Sequence, residues 1–221
     1  MTREEIQRTA VDLFAHKGFA ATSIRQLGTA AGVNPATLYH YAAGGKEEWL
    51  ATIMRTCLAE LLRLGRLALV SSEDPNIQLV QLVRGHVGMT ALNPLTARVT
   101  DQEMRALSAD NFAELVAVRD DYESMFSTVL TRGVRTSAFQ VVDARLTRLA
   151  LLEMCNGVAH WYRPDGRLSV MQVADQFGEL ASRIVGATRK TDVDLSDNEV
   201  VPRRLATEPS SGQSDAVAAT A

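Results

Sequence analysis

The stretch AAGVNPATLYHY, Ala30 to Tyr41, decides the fold. A short apolar segment stops at Gly32, restarts on Asn34-Pro35 and finishes with two tyrosines around His40. Asn is a strong helix N-cap, and Pro is favoured in the first helical turn because its missing N–H costs nothing there. NPATLYHY therefore reads as a very short helix. The preceding SIRQLGTAA reads as another, capped by Thr22 and closed by Gly32. Two short helices joined by the tight turn Ala31-Gly32-Val33 make a helix-turn-helix. On its own such a pattern also fits a cap on a helical bundle.

Working outward, helical periodicity dominates, with no sustained alternation of apolar and polar residues. A first helix from Thr2 to His16 places Ile6, Ala10, Leu13 and Phe14 on one face and ends at Gly18. Gly44-Gly45 breaks the chain before a long helix from Lys46 to about Leu69. Further helices are expected over 77–92, 94–107, 110–135, 142–162 and 169–185. The block from Val142 to Tyr162 is apolar around much of its circumference, so burial on more than one side is expected. From Ala187 onward aromatic residues are absent and Ser, Thr, Asp and Ala abound, which predicts a disordered tail. The expected fold class is all-α. A helix-turn-helix domain over 1–50 precedes a larger ligand-binding and dimerisation domain over 51–187 and a tail over 188–221.

The bulk composition narrows the function. With 221 residues, 46% of them hydrophobic, the chain supports one or two domains with a real core. A net charge of −3 gives no global pull toward nucleic acid, so DNA binding must come from a local patch. No signal-peptide run opens the chain and no apolar stretch approaches the ~18 residues of a membrane span, which predicts a cytoplasmic protein. Cys57 and Cys155 sit in apolar helical patterns and read as packing residues.

The candidate DNA-binding residues cluster on the two short helices. Thr37 offers a hydroxyl and a methyl, Tyr39 and Tyr41 a phenol, and His40 a ring N–H. Thr22, Asn34, Pro35 and Ala36 complete the surface presented to a duplex. Arg25 reaches a phosphate or a guanine edge, and Lys46 sits at a helix N-terminus, where a phosphate is favoured. Candidate effector contacts lie farther along. Met89, Met125 and Met154 read first as plain core, though flexible thioethers also suit an adaptable pocket, and Phe126 is counted with them as a candidate contact. Arg119 is either a counter-charge for an anionic ligand or part of a solvated face, and Trp161 faces either a cavity or a dimer partner. No enzyme constellation competes. The histidines at 16, 40, 86 and 160 lack zinc spacing, and no nucleophile elbow or Gly-rich phosphate loop is present. Neither a metal nor a cofactor is expected.

Residues 6–50 resemble the DNA-binding domain of the TetR family of transcriptional repressors, through AVDLFAHKGFAATSIRQLGTAAGV, TLYHY and KEEWL. The resemblance implies an all-helical homodimer that reads a DNA operator. It places the family's phosphate-contacting tyrosine on Tyr41, its lysine on Lys46, and its second-helix hydroxyl and basic positions on Ser23 and Arg25. Two departures stand out: Ala42 where the family usually has Phe, and a link to Lys46, AAGG, one residue longer than usual. EMRAL at 103–107, RDDYESMF at 119–126 and HWYRPDG at 160–166 are similar to a narrower KstR2-like group that senses fatty or steroid-derived acyl-CoA thioesters. Ala138 precedes Phe139 where that group often has glycine. The expected function is a ligand-responsive repressor. It binds a pseudo-palindromic operator as a dimer, through its last two long helices, and is released by a small apolar or acyl-CoA-type effector. The rival is a small-molecule-binding protein or enzyme without operator binding.

Overall fold

The computed structural model describes residues 1–188 and 200–209, and among these every regular element is helical. In chain order they are α1 (Arg3–Lys17), α2 (Ile24–Ala30), α3 (Pro35–Tyr41), α4 (Lys46–Val70), α5 (Pro75–Leu92), α6 (Pro94–Gln102), a 3-10 turn (Met104–Ala106), α7 (Ala109–Arg135), α8 (Ala144–Asn156), α9 (Val158–Trp161) and α10 (Val170–Ile184). None is long and apolar enough to cross a membrane.

The chain packs as two compact units that interleave in sequence, unlike a single cut at residue 50. The first takes Met1–Cys57, Asn93–Ala117 and the segment from Arg204. The second takes Leu58–Leu92 and Val118–Arg203.

In the first unit, Thr2 caps α1 in a reciprocal box with Glu5. The expected face of α1 is its core face, with Ile6, Ala10, Leu13 and Phe14 all buried. The ring of Phe14 meets Phe19 edge-on at 5.2 Å, across a turn where Gly18 holds φ at +82°. Helix α6 braces this turn. Arg98 Nη2 donates to the Ala15 carbonyl at 2.9 Å, and the Phe19 N–H donates to Glu103 Oε1 at 3.0 Å. The start of α7 is tied to α4 by Arg55, which donates to Glu114 at 2.6 and 2.7 Å and to Asn111 at 2.8 Å. Ser108 and Asn111 donate to Glu47 and hold its carboxyl below the usual carboxylate range.

In the second unit, α5 is buried along its length and α10 packs against it. Gly178 allows the close approach: a Cβ there would lie 2.9 Å from Val80 Cγ1. Arg84 of α5 pairs with Asp175 of α10 at 2.7 Å, and Ser182 donates to Asn76 at 2.9 Å. Gly65 of α4 makes the matching contact with α7, where a Cβ would meet Met125 Sδ and the Tyr122 ring.

Two expectations are corrected. The block 142–162 is not one helix buried on several sides. Asp143 accepts from the Arg145 and Leu146 N–H groups and starts α8 there, leaving Val142 fully exposed, and a turn at Gly157 separates α8 from α9. On α8, Leu151, Leu152 and Cys155 are buried, whereas Leu146 and Leu149 face outward. The tail is likewise not without structure throughout. Val200 and Pro202 fill the spaces above Gly85 and Gly88 in the second unit, and Leu205, Thr207 and Glu208 are buried in the first. Composition misjudged this segment because its docking rests on one carboxylate and a few apolar side chains. Residues 189–199 and 210–221 of the expected tail lie outside the described residues.

Candidate nucleic-acid interface and effector core

The helix-turn-helix is built from local signals. Ser23 caps α2, accepting from Gln26 N while its own N–H donates to the Gln26 side chain at 2.7 Å. Gly28 is needed at the crossing of the two helices: a Cβ there would sit 2.9 Å from the Val33 carbonyl oxygen. Gly32 takes φ +66°, a left-handed value that favours glycine, and sets the turn. Asn34 caps α3 through a 2.8 Å bond from the Thr37 N–H, with Pro35 in the first turn. Leu27 and Leu38 are wholly buried and lock α3 onto α2.

This packing decides which side chains face outward. Ser23, Arg25, Asn34, Pro35, Ala36, Tyr39 and His40 are exposed, and Thr37 and Tyr41 are half-buried. The Thr37 hydroxyl also donates to Asn34 Oδ1 at 3.1 Å, so its remaining capacity toward DNA is as an acceptor. His40 and Tyr41 meet edge-on at 5.5 Å. Gln26 and Thr29 are exposed on α2 as well, and sequence reasoning missed both. Their spacing from Ser23 and Arg25 on one helix was the available signal.

One expected DNA contact is corrected, and a second makes bonds inside the unit. Thr22 does not cap α2. It is buried, and its hydroxyl donates to the Gly18 carbonyl at 2.9 Å, which removes it from any DNA-facing surface. Lys46 is occupied within the unit. Its Nζ donates to the carbonyls of Phe19 and Thr22, each at 2.9 Å, and lies 4.1 Å from the centre of the Phe19 ring. Two hydrogen bonds and a cation–π contact therefore staple the turn that precedes α2. The AAGG link is accommodated by a turn in which the Gly45 N–H donates to the Ala42 carbonyl at 3.0 Å and Gly45 takes φ +67°. Ala42 is buried there, and the Tyr39 ring lies over Gly45.

The second unit holds a buried polar chain within apolar packing. Asn156 Oδ1 only accepts, so the 2.9 Å bond to His86 Nε2 fixes the proton on that nitrogen. His86 Nδ1 then accepts from the Tyr122 hydroxyl at 3.1 Å. This neutral tautomer links α5, α7 and α8. Burial pushes the His86 pKa down to about 4, partly offset by the bond to Asn156. Phe126, wholly buried, meets the Tyr122 ring edge-on at 5.7 Å.

The six expected effector residues differ widely in burial. Phe126 and Met89 are buried, and Met125 is half-buried beside Gly65, next to Tyr122. Met154 is half-buried on α8. Arg119 is exposed and pairs with Glu123 at 3.5 Å, the solvated-face reading. Trp161 is 51% exposed and stacks on Phe177 with ring centres 6.0 Å apart. An open groove of about 440 Å³ runs along α7, lined by Ser127, Thr128, Thr131, Arg132 and Arg135, none of them on the expected effector surface. Cys57 and Cys155 are buried thiols, and burial raises the Cys57 pKa to about 12, consistent with packing roles.

Comparison with known proteins agrees with this architecture. Residues 6–52 match the family model described as bacterial regulatory proteins of the tetR family. Residues 72–185 match the model for the tetracyclin repressor-like C-terminal domain. The chain is 28% identical over 177 residues to the HTH-type transcriptional repressor KstR2 of Rhodococcus jostii, covering 79% of this chain and 86% of that protein. Among solved structures, the TetR family regulator PfmR of Thermus thermophilus superposes with a TM-score of 0.72 at 33% identity, over 84% of this chain and 99% of PfmR. The ketosteroid transcriptional regulator KstR2 of Mycobacterium tuberculosis gives 0.77 at 25% identity, over 86% and 96%. With both its DNA-reading and its C-terminal domain matched, the chain belongs to the TetR family of bacterial transcriptional regulators and is not an enzyme.

Proposed function

We propose that the protein is a homodimeric repressor whose α3 helices enter successive major grooves of a pseudo-palindromic operator. The observation that carries this reading is the outward face of α3. Pro35, Ala36, Tyr39 and His40 stand exposed on a helix whose other side is anchored by buried Leu38. Arg25 and Thr37 are assigned to base reading, and Ser23 and Tyr41 to phosphates. The half-sites of such an operator lie about one helical turn apart, or a multiple of it, because protein and operator share a two-fold axis.

The second copy is assigned to the face formed by α8 and α10. Phe177, Leu180 and Ile184 recur at helical spacing on α10. Leu180 is 41% exposed and Ile184 46%, while Leu146 and Leu149 stand exposed on α8. A row of large apolar side chains of this kind suits a four-helix isologous interface. Trp161, stacked on Phe177, belongs to the same apolar surface.

The effector is assigned to the class of steroid-derived or fatty acyl-CoA thioesters, following the likeness to KstR2, one member of which is described as a ketosteroid regulator. Its binding releases the operator only through a difference in affinity between DNA-competent and DNA-incompetent states.

The experiment is a gel shift on the DNA upstream of the protein's own gene, with and without thioesters, beside a thermal-shift screen of free acids against their CoA thioesters. A stabilising ligand at a hundredfold excess over its Kd contributes ~2.7 kcal/mol. Retardation that a stabilising thioester abolishes supports the reading. Failure to retard any such DNA favours the rival small-molecule-binding protein without operator binding, and stabilisation by an unrelated hydrophobic cation alone removes the acyl-CoA assignment.

A further inference from the structure

The segment after Arg203 makes contacts out of proportion to its length. The Glu208 carboxylate is buried at the N-terminus of α6. There it accepts from the Leu95 N–H at 3.0 Å, the Thr96 N–H at 3.0 Å and the Thr96 hydroxyl at 2.6 Å. Those amides belong to the first turn of α6, where no intrahelical acceptor exists. Asn93, which precedes α6, accepts from the Leu205 N–H at 2.7 Å, and its own side chain makes no capping bond to the helix. Leu205 itself is buried, and the Ala206 carbonyl accepts from Arg8 of α1 at 3.2 Å. A buried carboxylate is costly unless its oxygens are bonded, so three donors on one carboxylate mark a docked group rather than a chance contact.

The segment lies beyond both family models, the second of which ends at residue 185. PfmR is matched over 99% of its length by only 84% of this chain. What the segment grips is the brace of the DNA-reading helices. From α6, Arg98 holds the Ala15 carbonyl at the end of α1. Just beyond α6, Glu103 holds the Phe19 N–H. Phe19 and Thr22 in turn receive Lys46 immediately before α2.

We infer that residues 204–209 are an intramolecular ligand of the DNA-reading unit. Glu208 occupies the N-terminus of α6 and thereby fixes the brace on which α1 and the turn before α2 are positioned. Operator affinity then depends on the segment although it touches no DNA. Glu208 is a positioning residue: release of the segment lowers the population of the reading-competent arrangement. The apparent Kd rises by the inverse of that population, about tenfold if one molecule in ten remains competent. The operator part of this inference rests on the proposed function; the docking part does not.

The test compares the full chain with a chain ending at Pro209, a chain ending at Arg203, Glu208→Ala and Glu208→Gln. Two readings are taken at a temperature where circular dichroism shows native helix: hydrogen exchange of the Leu95 and Thr96 amides, and affinity for a duplex that the full chain retards. The chain ending at Pro209 is expected to match the full chain. Glu208→Ala and the chain ending at Arg203 are expected to lose protection at both amides and to bind the duplex about tenfold more weakly. Glu208→Gln, which keeps an accepting oxygen, is expected to fall between. Should the shorter truncation fail to fold, Glu208→Ala decides. Unchanged protection in Glu208→Ala overturns the docking. Lost protection with unchanged duplex affinity, or a lower melting temperature alone, overturns the positioning role. If the full chain retards no DNA, it is the regulator reading that fails, and the exchange data alone decide the docking.

Discussion

Between pH 7.5 and 5, one buried imidazole should make this protein acid-sensitive. His86 is buried and neutral, with its proton on Nε2 toward Asn156 and its Nδ1 accepting from Tyr122. Its pKa falls from 6.5 to about 4 in the folded chain, mainly because burial disfavours the charged ring. As pH drops below 6.5 the unfolded chain takes up a proton that the folded chain refuses until about pH 4. The stability that His86 contributes is therefore complete above the unfolded pKa and is lost as pH falls toward the folded one. Every tenfold difference in proton affinity between the two states is worth ~1.4 kcal/mol, so the full loss is about 3 kcal/mol, with about 2 kcal/mol gone by pH 5. Glu47 and Glu114, whose pKa values are lowered, add losses at more acid pH, while Asp12 and Glu208, whose values are raised, act oppositely. Comparison with His86→Gln cancels these, since the substitution leaves them in place. Urea unfolding of both proteins between pH 7.5 and 5 should show the parent losing about 2 kcal/mol more than the variant. At neutral pH the variant is the weaker, by roughly 1–3 kcal/mol, because the buried chain of hydrogen bonds is broken. In parallel, the His86 ring protons in an NMR titration should stay unshifted down to pH 5. A stability difference that does not change with pH, or an imidazole titrating near its ordinary value, would refute the assignment.

Lys46→Met keeps the methylene packing on Phe19 but loses both bonds to the Phe19 and Thr22 carbonyls, so thermal unfolding should reveal a loss of about 2 kcal/mol. An unchanged melting temperature with a salt slope reduced by roughly one would restore the phosphate role and remove the staple. Arg25→Ala should weaken operator binding by about 1–3 kcal/mol and relax preference at one base pair; uniform weakening on all sequences would instead make Arg25 a phosphate contact. Leu180→Asp should yield monomers in light scattering, with operator affinity falling together with dimer content, and a dimer that persists would move the interface off α10. Trp161→Ala separates the two roles left to that residue: loss of dimer and operator affinity together places it in the interface, whereas a dimer that binds operator but ignores thioester places it against ligand.

Much of this was legible in residue order because the helix-turn-helix is a local construction. Asn34-Pro35, Gly32 and Leu38 act within a few residues of themselves, so capping and turn rules reach them directly. The α1 core face was legible for the same reason. Apart from the local bonds of Thr22 and Asp143, the failures share one physical cause. Thr22 carries the chemistry of a cap, and so does its neighbour Ser23; only the carbonyl of Gly18, four residues back, draws the Thr22 hydroxyl inward. Lys46 looked free for phosphate because its partners lie 24 and 27 residues away in sequence. Glu208 bonds to residues 112 and 113 positions earlier, in a segment whose composition resembles disorder. The His86–Tyr122–Asn156 chain likewise joins residues 36 and 70 apart, with no motif to announce it. Spacing rules find groups that act on neighbours; polar groups recruited by distant partners show no periodicity.

The Lys46 geometry also bears on how a net-acidic chain addresses DNA. A lysine that donates to two backbone carbonyls keeps one N–H for a phosphate but is held in place rather than free to follow it. On the proposed reading, the exposed guanidinium of the two short helices is Arg25 on α2, and recognition falls more heavily on hydroxyl and phenol groups: Ser23, Tyr39 and Tyr41. Neutral contacts to phosphate release fewer counterions than cationic ones, so the salt dependence of operator binding should be shallow for the number of contacts made. A plot of log Kd against log salt is expected to give a slope of about two to four per dimer, as one or two cations per half-site would produce. A slope near ten would require several lysines or arginines beyond Arg25 at each half-site, and would overturn the assignment of phosphate contacts to hydroxyl and phenol groups.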